Sequence, residues 1–154
     1  MTAQHLKEQL VALTAQLAGQ TLDASLQTWL NTAYGPTSEG YRALHAACLA
    51  GVAQGWLCDR EAGGLRYGRI FKPAPELQGF SVDVVDMSDI AGPHHSHPLG
   101  EIDLIMPIDA SARFDDHAAG WLVCPPGSAH HPTVTQGRAL VLYLLPQGRI
   151  DFTR

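Results

Sequence analysis

The chain has 154 residues, 45% of them hydrophobic and 16% charged, with a formal net charge of -5 at pH 7. That length suits one domain able to bury about two-thirds of its unfolded surface without disulfide or metal staples. The acidic balance without a basic run argues against a nucleic-acid partner. No apolar stretch approaches the roughly 20 residues that cross a bilayer, and the start MTAQHLKEQL lacks a basic-then-apolar signal, so a cytoplasmic protein without a membrane partner is expected. Cys48, Cys58 and Cys124 are odd in number and widely spaced, which fits reduced thiols rather than a disulfide framework.

The first third reads as helix. Residues 3 to 18 set Leu6, Leu10, Leu13 and Leu17 on one stripe, with Thr2 as N-cap and Gly19 beyond the end. A second helix over residues 22 to 33 repeats the pattern with Leu22, Leu26, Trp29 and Leu30, and Gly35-Pro36 ends it. A third, capped by Ser38, carries Tyr41, Leu44, His45, Cys48, Leu49 and Val52 as far as Gln54, before Gly55. His45 and Cys48 read as packing residues there.

Beyond Trp56 the pattern changes to short β-prone runs broken by Gly, Pro and Asp. Strands are expected at Leu65 to Phe71, Phe80 to Asp86, Ile102 to Met106, Gly120 to Val123 and Ala139 to Leu145, with weaker ones near His95 and Thr133. Lys72 to Pro75 and Pro146 to Gly148 are breaks. The expected fold is mainly β: a small antiparallel β-barrel over residues 56–154, preceded by helices over residues 1–55, together one structural domain. The helices would cover the barrel or build the interface of a homodimer or larger homo-oligomer.

The chemistry gathers in GPHHSHPLGEID, Gly92 to Asp103. His95 and His97 are spaced i, i+2, so on a strand both imidazoles project from one face, and Glu101 follows a Pro-Leu-Gly turn. A second cluster, CPPGSAHH from Cys124 to His131, offers His130 and His131 after a Pro-Pro-Gly turn. A solvated histidine-rich turn would account for the first cluster alone; joined to Glu101 and a later Pro-x-Gly-x-x-His, it reads as a metal site. Alternation puts Tyr67 with Arg69, Ser81 with Asp83, and Glu101 with Asp103, each pair on one strand face, as a polar barrel interior requires.

These residues carry a family resemblance. His95-Ser-His97-Pro-Leu-Gly-Glu101 resembles the first cupin motif, and Gly120-Trp-Leu-Val-Cys-Pro125-Pro-Gly127-Ser-Ala-His130 resembles the second. The resemblance implies a cupin-like jelly roll with His95, His97, Glu101 and His130 as ligands of one divalent transition metal, Fe, Mn, Zn or Ni. Two positions depart from the pattern: Ile108 stands for a usual glycine and Val134 for a usual asparagine. More narrowly, GWLCDREAGGLRYGRIFKP, GFSVDVVDM, GPHHSHPLGEIDLIMP, GWLVCPPGSAHHPTV and LVLYLLPQGRIDF are similar to the small bacterial 4-hydroxylaminobenzoate lyase family. That implies conversion of 4-hydroxylaminobenzoate to protocatechuate and ammonia.

Under that implication the substrate is a small aromatic carboxylate. Arg69 is the first choice for its carboxylate, ahead of Lys72 and of Arg66 on the opposite strand face, while Tyr67 and Trp121 would flank the ring. Asp103, Asp83 and Tyr143 are candidates for the proton steps, and His94 and His131 are spare imidazoles beside the expected ligands. The same four ligands would serve a mononuclear iron cupin dioxygenase acting on a diketone or aromatic substrate. A non-enzymatic small-ligand-binding cupin is a third reading, against which no basic DNA-binding helix-turn-helix precedes the barrel.

Overall fold

The computed structural model describes residues 2–153. The helical third forms α1 (Ala3–Leu17), α2 (Ala24–Ala33) and α3 (Glu39–Gln54). Side-chain caps set their starts: Thr2 accepts the His5 N–H, Asp23 that of Leu26, and Ser38 that of Tyr41. The Asp23 cap begins α2 at Ala24 and leaves Leu22 outside it. Gly55 closes α3 at φ 86, in the left-handed region, so that its N–H reaches back to the Gly51 and Val52 carbonyls.

The strands are β1 (Arg60–Ala62), β2 (Leu65–Phe71), β3 (Phe80–Ala91), β4 (His95–His97), β5 (Glu101–Pro107), β6 (Arg113–Phe114), β7 (Gly120–Cys124), β8 (Ser128–His130), β9 (Thr133–Pro146) and β10 (Asp151–Phe152), with a 3-10 turn at Pro75–Leu77. They form a large sheet of order β1-β2-β3-β9-β5-β7, with β6 added on β9, and a small sheet of order β10-β4-β8. The pairings are antiparallel. The fold is therefore mainly β, a jelly roll of two sheets behind an N-terminal helical region. Among the described residues its hydrogen bonding divides into two sheets and does not run round a closed ring, as a strict barrel would require.

Alternation along the strands gives the large sheet two distinct faces. On one, Val82, Val84, Ile102, Leu104, Leu142 and Leu144 bury against Leu6, Leu10, Leu13, Leu30 and Leu44 of the helices in a single hydrophobic cluster. Each such leucine contributes roughly 1.5–3 kcal/mol by leaving water. Tyr41 ties α3 to the sheet by donating to the Ile105 carbonyl at 2.7 Å. The other face carries Val85, Met87, Ile105, Val141, Tyr143 and Leu145, packed with Phe114 and Val134.

Strand β7 is an edge strand, and α2 covers its free backbone groups. Asn31 donates to the Trp121 carbonyl at 3.0 Å and accepts the Trp121 N–H at 2.8 Å, while Gln27 accepts the Val123 N–H at 2.8 Å. The turn before β5 holds Gly100 at φ 88, where an added Cβ would lie 2.9 Å from the Cys124 carbonyl oxygen. Only glycine lets Glu101 start its strand this close to β7.

Candidate metal centre

Cross-strand register sets what the inner face of the large sheet displays. Arg69 lies opposite Asp83, Asp83 opposite Tyr143, and Tyr143 opposite Asp103, so four polar side chains form one row across β2, β3, β9 and β5. Glu101 stands two residues from Asp103 on the same face, opposite Cys124. In the small sheet His95 is opposite His130 and His97 opposite Ser128, which turns the three imidazoles to one side.

The two sheets bring these groups together. His95, His97, Glu101 and His130 each offer a donor atom, all within 4.8 Å of one another. His97 Nε2 is 3.0 Å and His130 Nε2 3.9 Å from Glu101 Oε2, and His95 Nε2 is 3.1 Å from His130 Nε2. Each Nδ1 is engaged by the protein: His95 with the Pro93 carbonyl at 3.2 Å, His97 with the Ser128 hydroxyl at 3.0 Å, and His130 with Asp115 Oδ2 at 2.5 Å. The Nε2 atoms are thereby directed inward.

Two observations test whether a cation suits this pocket. Beyond the 3.0 Å approach of His97 Nε2 to Glu101 Oε2, neither that nitrogen nor either Glu101 oxygen, all buried, has a hydrogen-bond partner. A buried carboxylate costs several kcal/mol unless a positive charge or donors compensate it, and a cation at the cluster centre would satisfy these atoms together. The 3.1 Å between the His95 and His130 Nε2 atoms also matches two ligands at right angles, each about 2.1 Å from one ion and hence about 3.0 Å apart. The arrangement is compatible with a transition-metal site, and sets of imidazole plus carboxylate serve Fe, Mn, Zn and Ni alike.

Electrostatics follows burial. Burial holds the His95 imidazole below its ordinary range, against the opposing pull of Glu101, which favours the neutral ligand form. Asp103 is wholly buried; burial first and Glu101 second hold its carboxyl well above the usual range. Its Oδ1 has no partner, and its Oδ2 accepts the Cys124 thiol at 3.8 Å. The Tyr143 hydroxyl is buried, unpartnered and pushed up by burial. Asp83 is also raised by burial, with Arg69 opposing the shift.

Arg69 already has partners: its Nε and Nη2 donate to the two Asp83 oxygens at 2.8 and 3.2 Å, and Nη2 also to the Gly148 carbonyl at 3.2 Å. One expectation needs correction: Trp121 cannot flank a ligand in this cluster. It lies opposite Leu104 on the helix-facing side, buried, with its indole N–H donating to the Tyr34 carbonyl at 2.9 Å. Tyr67 lies opposite Val85 at the inner face, 36% exposed, whereas Arg66 lies opposite Asp86 on the reverse face. His94 bonds Thr153 and His131 faces the Gly92 carbonyl, both outside the four-donor group.

Three residues near the cluster drew no role from the sequence: Asp115 and Ser128, which engage ligand-like histidines, and Phe152. Phe152 lies opposite His95, edge-on to its ring at a centroid distance of 5.6 Å, and is 64% exposed. The solvent-facing rim of the cluster therefore runs past Phe152.

Facing antiparallel sheets that place a His-x-His, a Glu and a Pro-x-Gly-x-x-His histidine on one inner surface define a cupin. Within that superfamily, the chain belongs to the 4-hydroxylaminobenzoate lyase family: the family's sequence model, described as PnbB 4-hydroxylaminobenzoate lyase, matches residues 8–152. The chain is 34% identical over 155 residues to the 4-hydroxylaminobenzoate lyase of Pseudomonas putida, covering 90% of this chain and 88% of that protein. It is also 34% identical over 160 residues to the one from Nocardioides sp. (strain LMS-CY), covering 98% and 95%. Among solved structures, a chain from the crystal structures of DMSP lyases RdDddP and RnDddQII is 15% identical at a TM-score of 0.43, over 99% of this chain and 97% of that one. Family membership makes the chain a lyase, and among the described residues no helix is long and apolar enough to cross a membrane.

Proposed function

We propose that this chain converts 4-hydroxylaminobenzoate to protocatechuate and ammonia, using one divalent metal held by His95, His97, Glu101 and His130. The observation that carries the metal centre is the convergence of three imidazoles on the one buried carboxylate of Glu101; family membership supports the substrate. The reaction balances as substrate plus one water giving protocatechuate plus ammonia. The N–O bond breaks, the ring gains oxygen and the C–N bond is lost, without net redox change. When bound, the metal would supply a Lewis acid for the hydroxylamine oxygen or for water.

The protein's own groups have distinct tasks. Departure of hydroxyl from nitrogen needs a proton, and the raised carboxyl of Asp103 holds one beside the cluster. Tyr143, next to it in the row and kept neutral, can donate a hydrogen bond to the same end of the substrate. Asp83 would take up the proton released when water adds. The buried Glu101 carboxylate repels a second carboxylate, so the benzoate enters with its hydroxylamino end inward and its carboxylate toward Arg69, which would share its guanidinium between Asp83 and substrate. Tyr67 would border the ring. The shared hydrophobic cluster supports treating residues 1–55 and 56–154 as one structural domain.

Metal analysis joined to anaerobic turnover of 4-hydroxylaminobenzoate tests this reading. Stoichiometric ammonia and protocatechuate without oxygen support it; activity only with oxygen would move the dioxygenase alternative ahead.

A further inference from the structure

Asp115 follows β6 and adopts φ 48, with Asp116 beside it at φ 67. Its carboxylate is divided between two tasks: Oδ2 meets His130 Nδ1 at 2.5 Å, and Oδ1 accepts the Thr133 N–H at 2.9 Å. The Thr133 amide can only donate, so it fixes one oxygen and thereby aims the other. A carboxylate oxygen facing Nδ1 can only accept, so a neutral His130 carries its proton on Nδ1 and leaves the Nε2 lone pair directed at His95 and Glu101. The other imidazoles lack such a charged partner, His95 having a backbone carbonyl and His97 a hydroxyl that can donate or accept.

We infer that Asp115 is the positioning residue that fixes the His130 tautomer for ligation, acting through His130 without touching the ion or the substrate. This rests on the metal reading of the cluster. The chemistry makes Asp115→Asn informative. Asparagine tolerates left-handed backbone and has nearly the same shape. Its single oxygen must serve the Thr133 N–H, because the reverse flip would set an NH2 group against that donor. The NH2 then faces Nδ1, which has to accept, and the ring proton moves to Nε2, into the cluster. Asp115→Ala imposes no tautomer.

The test uses full-length protein, with zinc as the probe. Competition titration measures zinc affinity for wild type, Asp115→Asn and Asp115→Ala. Two-bond 1H–15N spectra of the metal-free proteins, recorded at about pH 8.5 where imidazoles are neutral, read the His130 tautomer. The expected result is a 10- to 100-fold loss of affinity in Asp115→Asn, a loss in Asp115→Ala no larger than that, and a proton moved from Nδ1 to Nε2 only in Asp115→Asn. A merely structural role gives the reverse order, with Ala damaged and Asn close to wild type. The inference is overturned if wild type binds zinc and Asp115→Asn keeps both its affinity and the Nδ1–H tautomer. A wild type that binds no zinc overturns the metal reading, and this inference with it, which the wild-type titration alone distinguishes from a failure of Asp115.

Discussion

Replacing Glu101 by Gln should move stability in opposite directions with and without metal. In the metal-free protein the Glu101 carboxylate is fully buried, its oxygens have no hydrogen-bond partner beyond the 3.0 Å approach of His97 Nε2, and the buried Asp103 carboxyl lies beside it. The isosteric amide removes that buried charge and brings an NH2 that can donate to Asp103 Oδ1. Relief of one unsatisfied buried group is worth about 1–3 kcal/mol, and each kcal/mol shifts Tm by about 2–4 °C in a domain of this size. Metal-free Glu101→Gln should therefore melt about 2–12 °C above metal-free wild type. Metal at about a hundred times its Kd stabilises wild type by about 2.7 kcal/mol, or about 5–11 °C, and the variant should lose most of that increment. Thermal unfolding after chelation and after metal addition, with elemental analysis of both proteins, reads both signs. A metal-free variant less stable than wild type but with full metal content would show that Glu101 pairs structurally with His97 and is not a ligand.

Arg69→Met should lower kcat/KM for 4-hydroxylaminobenzoate about ten- to a hundred-fold, the value of one charge-assisted contact, with metal content unchanged. Wild-type turnover in that variant would move the carboxylate's partner to another cation. Trp121→Phe should lose about 1 kcal/mol through the bond to the Tyr34 carbonyl but leave KM unchanged; a raised KM would contradict its placement against α2. Burial pushes the Cys48 and Cys58 thiols up to about 12, leaving roughly one thiolate in ten thousand at pH 8. A thiol reagent should thus leave both unmodified in the folded protein and label all three cysteines after denaturation. Because burial raises Asp83, its neutral form favours the fold. That contribution is complete below the unfolded value of about 3.9 and is lost as pH rises through the folded value. Unfolding titrations should show metal-free wild type losing stability relative to Asp83→Asn as pH rises through that window, and a difference that stays flat would contradict the assignment.

The parts of the fold written in local chemistry were legible in the chain. Thr2, Ser38 and Gly55 marked helix ends because capping involves residues three or four apart. The i, i+2 spacing of His95 and His97 set them on one face because strand alternation is equally local. What depended on pairing between distant strands was not legible. Parity alone could not place Trp121, since its face follows from standing opposite Leu104 across β5 and β7. The Arg69–Asp83 pair follows from the β2–β3 register, which sets the two residues opposite each other. Asp115 belongs to no motif and reaches His130 only because β6 pairs with β9. Strand β3 continues to Ala91 beyond its expected end, through an irregularity between Ser88 and Ile90 that carries Asp89 at φ 44. The extra length spans a break in β propensity that the pairing with β9 overrides.

The most direct test of the account is anaerobic turnover by metal-loaded protein. With oxygen excluded, each 4-hydroxylaminobenzoate consumed should yield one protocatechuate and one ammonia, and chelation should abolish the activity and metal restore it. Conversion that requires oxygen, or that persists at full rate in protein shown to be free of metal, would contradict it.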